Sequence, residues 1–125
     1  MTPVSSRIMA LLKDFDRNHD YNNNSAQVHF SYLTENVNFL ITEETIRNLF
    51  IEFGEIDDVA IKKSVVDVIG HSQSGYGFVH FPLNEEGIRS AIRATSVIHQ
   101  VLIKEVLFDC CLTGPVKTIV YNTIF

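Results

Sequence analysis

The stretch Ser74-Gly75-Tyr76-Gly77-Phe78-Val79-His80-Phe81 decides how the chain folds. Written as a strand, it sends alternate side chains to opposite faces. Gly77, Val79 and Phe81 form an apolar packing side, while Tyr76, Phe78 and His80 form the other. Two aromatic rings and an imidazole lying open across a pleated surface suit a flat ligand that stacks.

Working outward, the polar turn Gly70-His71-Ser72-Gln73-Ser74-Gly75 leads into the octamer strand, and residues 56–66 precede it as a second strand. The two are expected to pair as a long hairpin. In residues 56–66, Ile56, Val59 and Ile61 read as inward, with Asp58, Ala60 and Lys62 on the opposite face. Upstream, Thr42-Glu43-Glu44 offers a cap and two acids for the first turn of a helix. Ile46, Leu49, Phe50 and Phe53 make its apolar stripe, and Gly54 ends it. Residues 28–33 alternate as a first strand, with Val28 and Phe30 on one side and His29 and Ser31 on the other. A loop containing Glu35-Asn36-Val37-Asn38 joins that strand to the helix.

Downstream, Pro82 closes the octamer strand, and Asn84 caps a second helix with Glu85 and Glu86 in its first turn. Ile88, Ala91 and Ile92 form its buried stripe. Residues 97–103 are apolar and β-branched, compatible with a small extra hairpin, and residues 106–112 give a last alternating strand. The order β-α-β-β-α-β predicts an α+β, ferredoxin-like sandwich: a four-stranded antiparallel sheet with two helices on one face. The other face is left open and carries the rings.

Outside this domain, taken as residues 27–113, residues 1–26 read as a short amphipathic helix followed by a polar, asparagine-rich linker. Ile8, Leu11, Leu12 and Phe15 are the stripe of that helix. Residues 114–125 form a C-terminal tail, apolar enough around 116–121 to fold back over a sheet.

The 125-residue chain is 46% hydrophobic and 20% charged, the balance of an ordinary globular protein. No apolar run approaches the ~20 residues that cross a bilayer, and the N-terminus lacks a signal-peptide pattern. No membrane association is expected. Adjacent Cys110 and Cys111 point to opposite sides of a strand, a poor geometry for a mutual disulfide, so a reducing compartment, nucleus or cytoplasm, is expected. Net charge is −5, and residues 27–113 hold six basic side chains against twelve acidic ones. A domain with this balance forgoes most of the counterion-release affinity that phosphate binders use.

The octamer fits the pattern [KR]-G-[FY]-[GA]-[FY]-[ILV]-x-[FY] at seven of eight places, with Ser74 the exception. The hexamer Val28-His29-Phe30-Ser31-Tyr32-Leu33 lies on the first strand, and residues 42–56 follow as helix and turn. In this combination and order the chain resembles the RNA-recognition motif (RRM) family over about residues 27–113. The resemblance implies single-stranded RNA as partner, with Tyr76, Phe78 and His29 at the positions that stack on or contact bases. His29 stands where the family usually has Phe or Tyr, and Ser74 cannot form the phosphate salt bridge of Lys or Arg. Lys62, on the same face by alternation, is the nearby cation expected to meet a phosphate. The loop before the first helix is several residues longer than the family's usual one.

Other chemistries find no footing. His19, His29, His71, His80 and His99 lack metal-ligand spacing, and no nucleophile motif or phosphate loop is present. Neither catalysis, metal nor cofactor is expected. The expectation is a single-stranded RNA-binding module in RNA processing or regulation. Its rival is a protein-interaction module of the same fold within a ribonucleoprotein, for which an acidic surface suits a basic partner.

Overall fold

The computed structural model describes residues 25–114, 116 and 117. Along them run β1 (Ser25–Thr34), α1 (Glu43–Phe50), a 3-10 turn (Ile51–Phe53), β2 (Asp58–Asp67), β3 (Ser72–Pro82), α2 (Glu85–Val97), β4 (Val101–Ile103) and β5 (Val106–Thr113). All strand pairs are antiparallel, in the order β2-β3-β1-β5-β4.

The sheet therefore has five strands rather than the expected four. The extra one is β4, which pairs with β5 through Val101, Leu102 and Ile103. Its connection to β5 is only Lys104 and Glu105, both at positive φ (48° and 69°), the backbone of a tight two-residue hairpin turn. Residues 97–103 are thus divided: Val97 ends α2, and the strand begins at Val101.

α1 starts where its cap is strongest. The Thr42 hydroxyl accepts from the Thr45 N–H at 3.3 Å, and the Thr45 hydroxyl accepts in return from the Thr42 N–H at 3.2 Å. This reciprocal box satisfies two backbone donors at the helix end. Ile46 and Phe50 are fully buried, and Gly54, at φ 152°, ends the turn that follows. In α2, the Asn84 side chain accepts from the Gly87 N–H at 2.8 Å, and Ile88, Ala91 and Ala94 face inward. The inward sides of both helices join Val28, Phe30, Tyr32, Val79, Phe81, Val106 and Phe108 in one core cluster.

The two inner glycines of the octamer make close packing possible. A Cβ on Gly77 would fall 2.8 Å from Phe30 Cζ and against the Ala60 carbonyl oxygen. A Cβ on Gly75 would meet the Tyr32 ring end and the Lys63 carbonyl oxygen. Phe30 and Tyr32 of β1 thus slide beneath β3 into space that no larger residue could leave.

β3 begins at Ser72, two residues before the octamer, and the turn ahead of it is residues 68–71. At the far end β5 stops at Thr113, Gly114 takes φ 65°, and Val116 is buried as part of the core cluster. The expected N-terminal helix and linker (1–24), and residues 118–125 of the C-terminal tail, lie outside the described residues.

Candidate nucleic-acid interface

The strand registers arrange the outer face of the sheet in four transverse rows. Asp58, His80, Gln27 and Thr113 form the first, and Ala60, Phe78, His29 and Cys111 the second. Lys63, Tyr76, Ser31 and Asp109 form the third. The fourth crosses all five strands through Val65, Ser74, Leu33, Leu107 and Leu102.

The two middle rows bring three rings together. His29 stacks on Tyr76 with centroids 5.6 Å apart and planes inclined 29°, and meets Phe78 edge-on at 5.4 Å and 72°. Tyr76 is 40% exposed, and His29 and Phe78 are half-buried beside it. The result is a continuous aromatic ledge of three side chains from two adjacent strands. Each is fixed by alternation and by a core-facing neighbour that is buried: Val28 and Phe30 around His29, Gly77 and Val79 around Phe78. Every nucleobase has a π-face, so such a ledge can hold successive bases whatever their sequence.

The fourth named residue, Lys62, is placed differently from simple alternation. A bulge interrupts β2: Ile61 pairs with Gly77, but Tyr76 pairs with Lys63, leaving Lys62 unmatched. Lys62 therefore has no cross-strand partner, and the position across from Tyr76 belongs to Lys63. Glu43 holds the irregularity, its carboxylate accepting from the Ile61 N–H at 2.9 Å. Reading the sequence missed Lys63. The only local signal is the break in apolar alternation after Ile61, where Lys62, Lys63 and Ser64 follow in series.

Two carboxylates share this face. Asp109 is occupied at its edge, its Oδ1 accepting from the Gln100 N–H at 3.2 Å and lying 3.3 Å from His99 Nδ1. Asp58 sits across from His80, whose Nδ1 pairs with the Ser25 hydroxyl at 2.6 Å. Burial lowers the His80 pKa below the ordinary 6.5; Asp58 pulls it back up, Lys62 pushes it down, and Asp57 pulls up again. Between the lowered value and 6.5 the unfolded chain binds more protons than the folded one. The stability His80 contributes is therefore complete above about pH 6.5 and is lost as pH falls through the folded value. Thermal midpoints measured from about pH 7 down to about pH 5 should fall for the natural chain and fall less for His80→Gln. Parallel curves for the two proteins would count against this role.

On β5 the two cysteines part company. Both are free thiols. Cys110 is buried, its Sγ donating to the Ile98 and Ala94 carbonyls, and burial, with Asp109 and Cys111 adding, raises its pKa to about 12. Cys111 is exposed on the outer face, across from His29. Among the described residues, no group of three or more His, Cys, Asp or Glu side chains gathers as a metal site, and no helix is long and apolar enough to cross a membrane.

The molecule is thus a five-stranded antiparallel sheet with two helices on its packing side and an aromatic ledge on its open side. The family model described as "RNA recognition motif" matches residues 34–98, just over half of the chain, and the chain belongs to that family. The match begins at the last residue of β1 and takes in the octamer and both helices. No curated protein matches the sequence significantly. Among solved structures, the chain is similar to a solution structure of the N-terminal RNA binding domain from a hypothetical protein. That likeness has 15% identity, a TM-score of 0.46, and coverage of 77% of this chain and 88% of the other.

Proposed function

We propose that the chain binds single-stranded RNA by stacking bases across the outer face of the sheet. The observation that carries this reading is the contiguous ledge of His29, Tyr76 and Phe78, an exposed aromatic surface in a family of nucleic-acid-binding domains. Tyr76 and Phe78 are the main platforms, His29 links them, and Lys62 contributes charge nearby. Stacking supplies ~1–3 kcal/mol per base, so two to four nucleotides can be held without a strongly basic surface. Affinity is modest, because the acidic balance of residues 27–113 withholds most of the counterion-release term. In this reading residues 27–113 are the binding domain and residues 1–26 and 114–125 its flanks. The module works in RNA processing or regulation, in the nucleus or cytoplasm, without catalysis or cofactor.

The test is a titration of the isotope-labelled full chain with a randomised pool of short single-stranded RNA at low salt, followed through backbone amides. Shifts should concentrate at His29, Tyr76, Phe78 and the facing residues of β5. A spectrum unmoved by the pool, together with stable capture of a discrete protein, would replace this reading with that of a protein-interaction module.

A further inference from the structure

We propose that Lys63 supplies the phosphate contact that the octamer's first residue, Ser74, cannot make, and that the β2 bulge is the device that delivers it. The inference rests on the stacking reading above and adds to it the residue that grips the backbone of the RNA.

Geometry supports it first. Lys63 is the β2 partner of Tyr76, and an open depression on the outer face is lined by Lys63, Ser74, Tyr76, His29 and Ser31 among others. A strand stacked on Tyr76 must carry its sugar-phosphate chain past the ring's rim, and Lys63 and Ser74 both border that rim. Ser74 offers a neutral hydroxyl, whereas Lys63 is exposed and offers an ammonium on a flexible stem.

Elimination supports it next. Arg47 donates to the Ile56 carbonyl, Arg93 to the Phe53 carbonyl, and Arg89 pairs with Glu85, all on the helical side. Lys104 sits in the β4–β5 turn, and Lys117 lies beyond the last strand. Among the described residues this leaves Lys62 and Lys63 as the cations of β2, and only Lys63 pairs with a ring of the ledge. Without the bulge, alternation from Ile61 would carry Lys63 to the core side. The Glu43 carboxylate, capturing the Ile61 N–H from the first turn of α1, holds the register that prevents this. Bulges commonly re-aim a side chain in this manner.

The experiment measures affinity for a short single-stranded RNA across about 50 to 200 mM salt, using the full chain. Variants are Lys63→Gln, Lys62→Gln, Ser74→Lys, the pair Lys63→Gln with Ser74→Lys, and the pair Tyr76→Ala with Phe78→Ala. Lys63→Gln should weaken binding several-fold at low salt and make the log–log salt slope shallower by about 0.7, the loss of one phosphate contact on a single strand. Lys62→Gln, which removes a charge that pairs with no ring of the ledge, should make the slope shallower by less than Lys63→Gln does. Adding Ser74→Lys to Lys63→Gln should restore it, by putting a cation back on the same rim; a protein merely destabilised by Lys63→Gln would not be rescued in this way. If Lys63→Gln keeps the natural slope while the double ring variant loses binding, the inference fails and the stacking reading stands. If the natural chain does not bind, or the ring variant binds as well as the natural chain, both fall.

Discussion

Removing both platform rings, Tyr76→Ala with Phe78→Ala, is expected to weaken binding to short single-stranded RNA by between about 30-fold and about 20,000-fold. Two bases lose their stacking partners at ~1–3 kcal/mol each, and every ~1.4 kcal/mol is a factor of ten. The fold should survive the change. Both side chains lie on the outer face, and the packing side of the same strand, Gly77, Val79 and Phe81, is untouched. What is lost is the cross-strand contact of each ring with His29, and such pairs contribute only ~0.2–1 kcal/mol. An amide spectrum with natural dispersion, alongside a binding isotherm that has collapsed, is the expected pair of results. A well-folded double variant that binds RNA with natural affinity would end the stacking model.

Gln73→Leu is expected to cost about 3 kcal/mol of stability, a large share of what a domain of this size possesses. Gln73 is fully buried at the start of β3 and reaches into the loop between β1 and α1. Its Oε1 accepts from the Ile41 N–H at 2.7 Å, and its Nε2 donates to the Phe39 carbonyl at 2.8 Å and the Asn36 carbonyl at 3.3 Å. One side chain thus ties three backbone groups of an otherwise irregular segment to the sheet. Leucine fills similar volume but leaves those groups unpaired, each at ~1–3 kcal/mol if it stays buried. The exposed end of the loop can turn its carbonyls to water, so the sum is not reached. Urea unfolding of the two proteins gives the difference directly; a loss below about 1 kcal/mol would show that the loop finds other partners.

Much of this architecture could be read before any coordinates. Alternation in 28–33 and 74–81, two apolar stripes at helical spacing, and caps at Thr42 and Asn84 each carry their own local physics, and each lies where expected. Tyr76, Phe78 and His29 come together because period-two alternation leaves a strand residue only two sides to choose between. The parts that escaped have equally physical reasons. β4 is three residues long, too short for periodicity to register, and its turn is made by Lys104 and Glu105, which carry no glycine or asparagine signal for positive φ. The bulge in β2 changes register without any special residue, because a glutamate from a helix eighteen positions away stabilises it. Gln73 looked like part of a polar turn, and only its three partners, more than thirty residues away, make it a core residue.

The divergence of Cys110 and Cys111 has a practical consequence. A thiol-directed reagent meets, in the folded protein, one hydrogen-bonded sulfur shut inside the core and one sulfur beside His29 at the surface. The chain thus comes with its own single attachment point for a spectroscopic or cross-linking tag, next to the aromatic ledge. Occupancy of that ledge can be followed on the unaltered sequence, with Cys110 labelling only after unfolding and so serving as an internal control for the integrity of the fold.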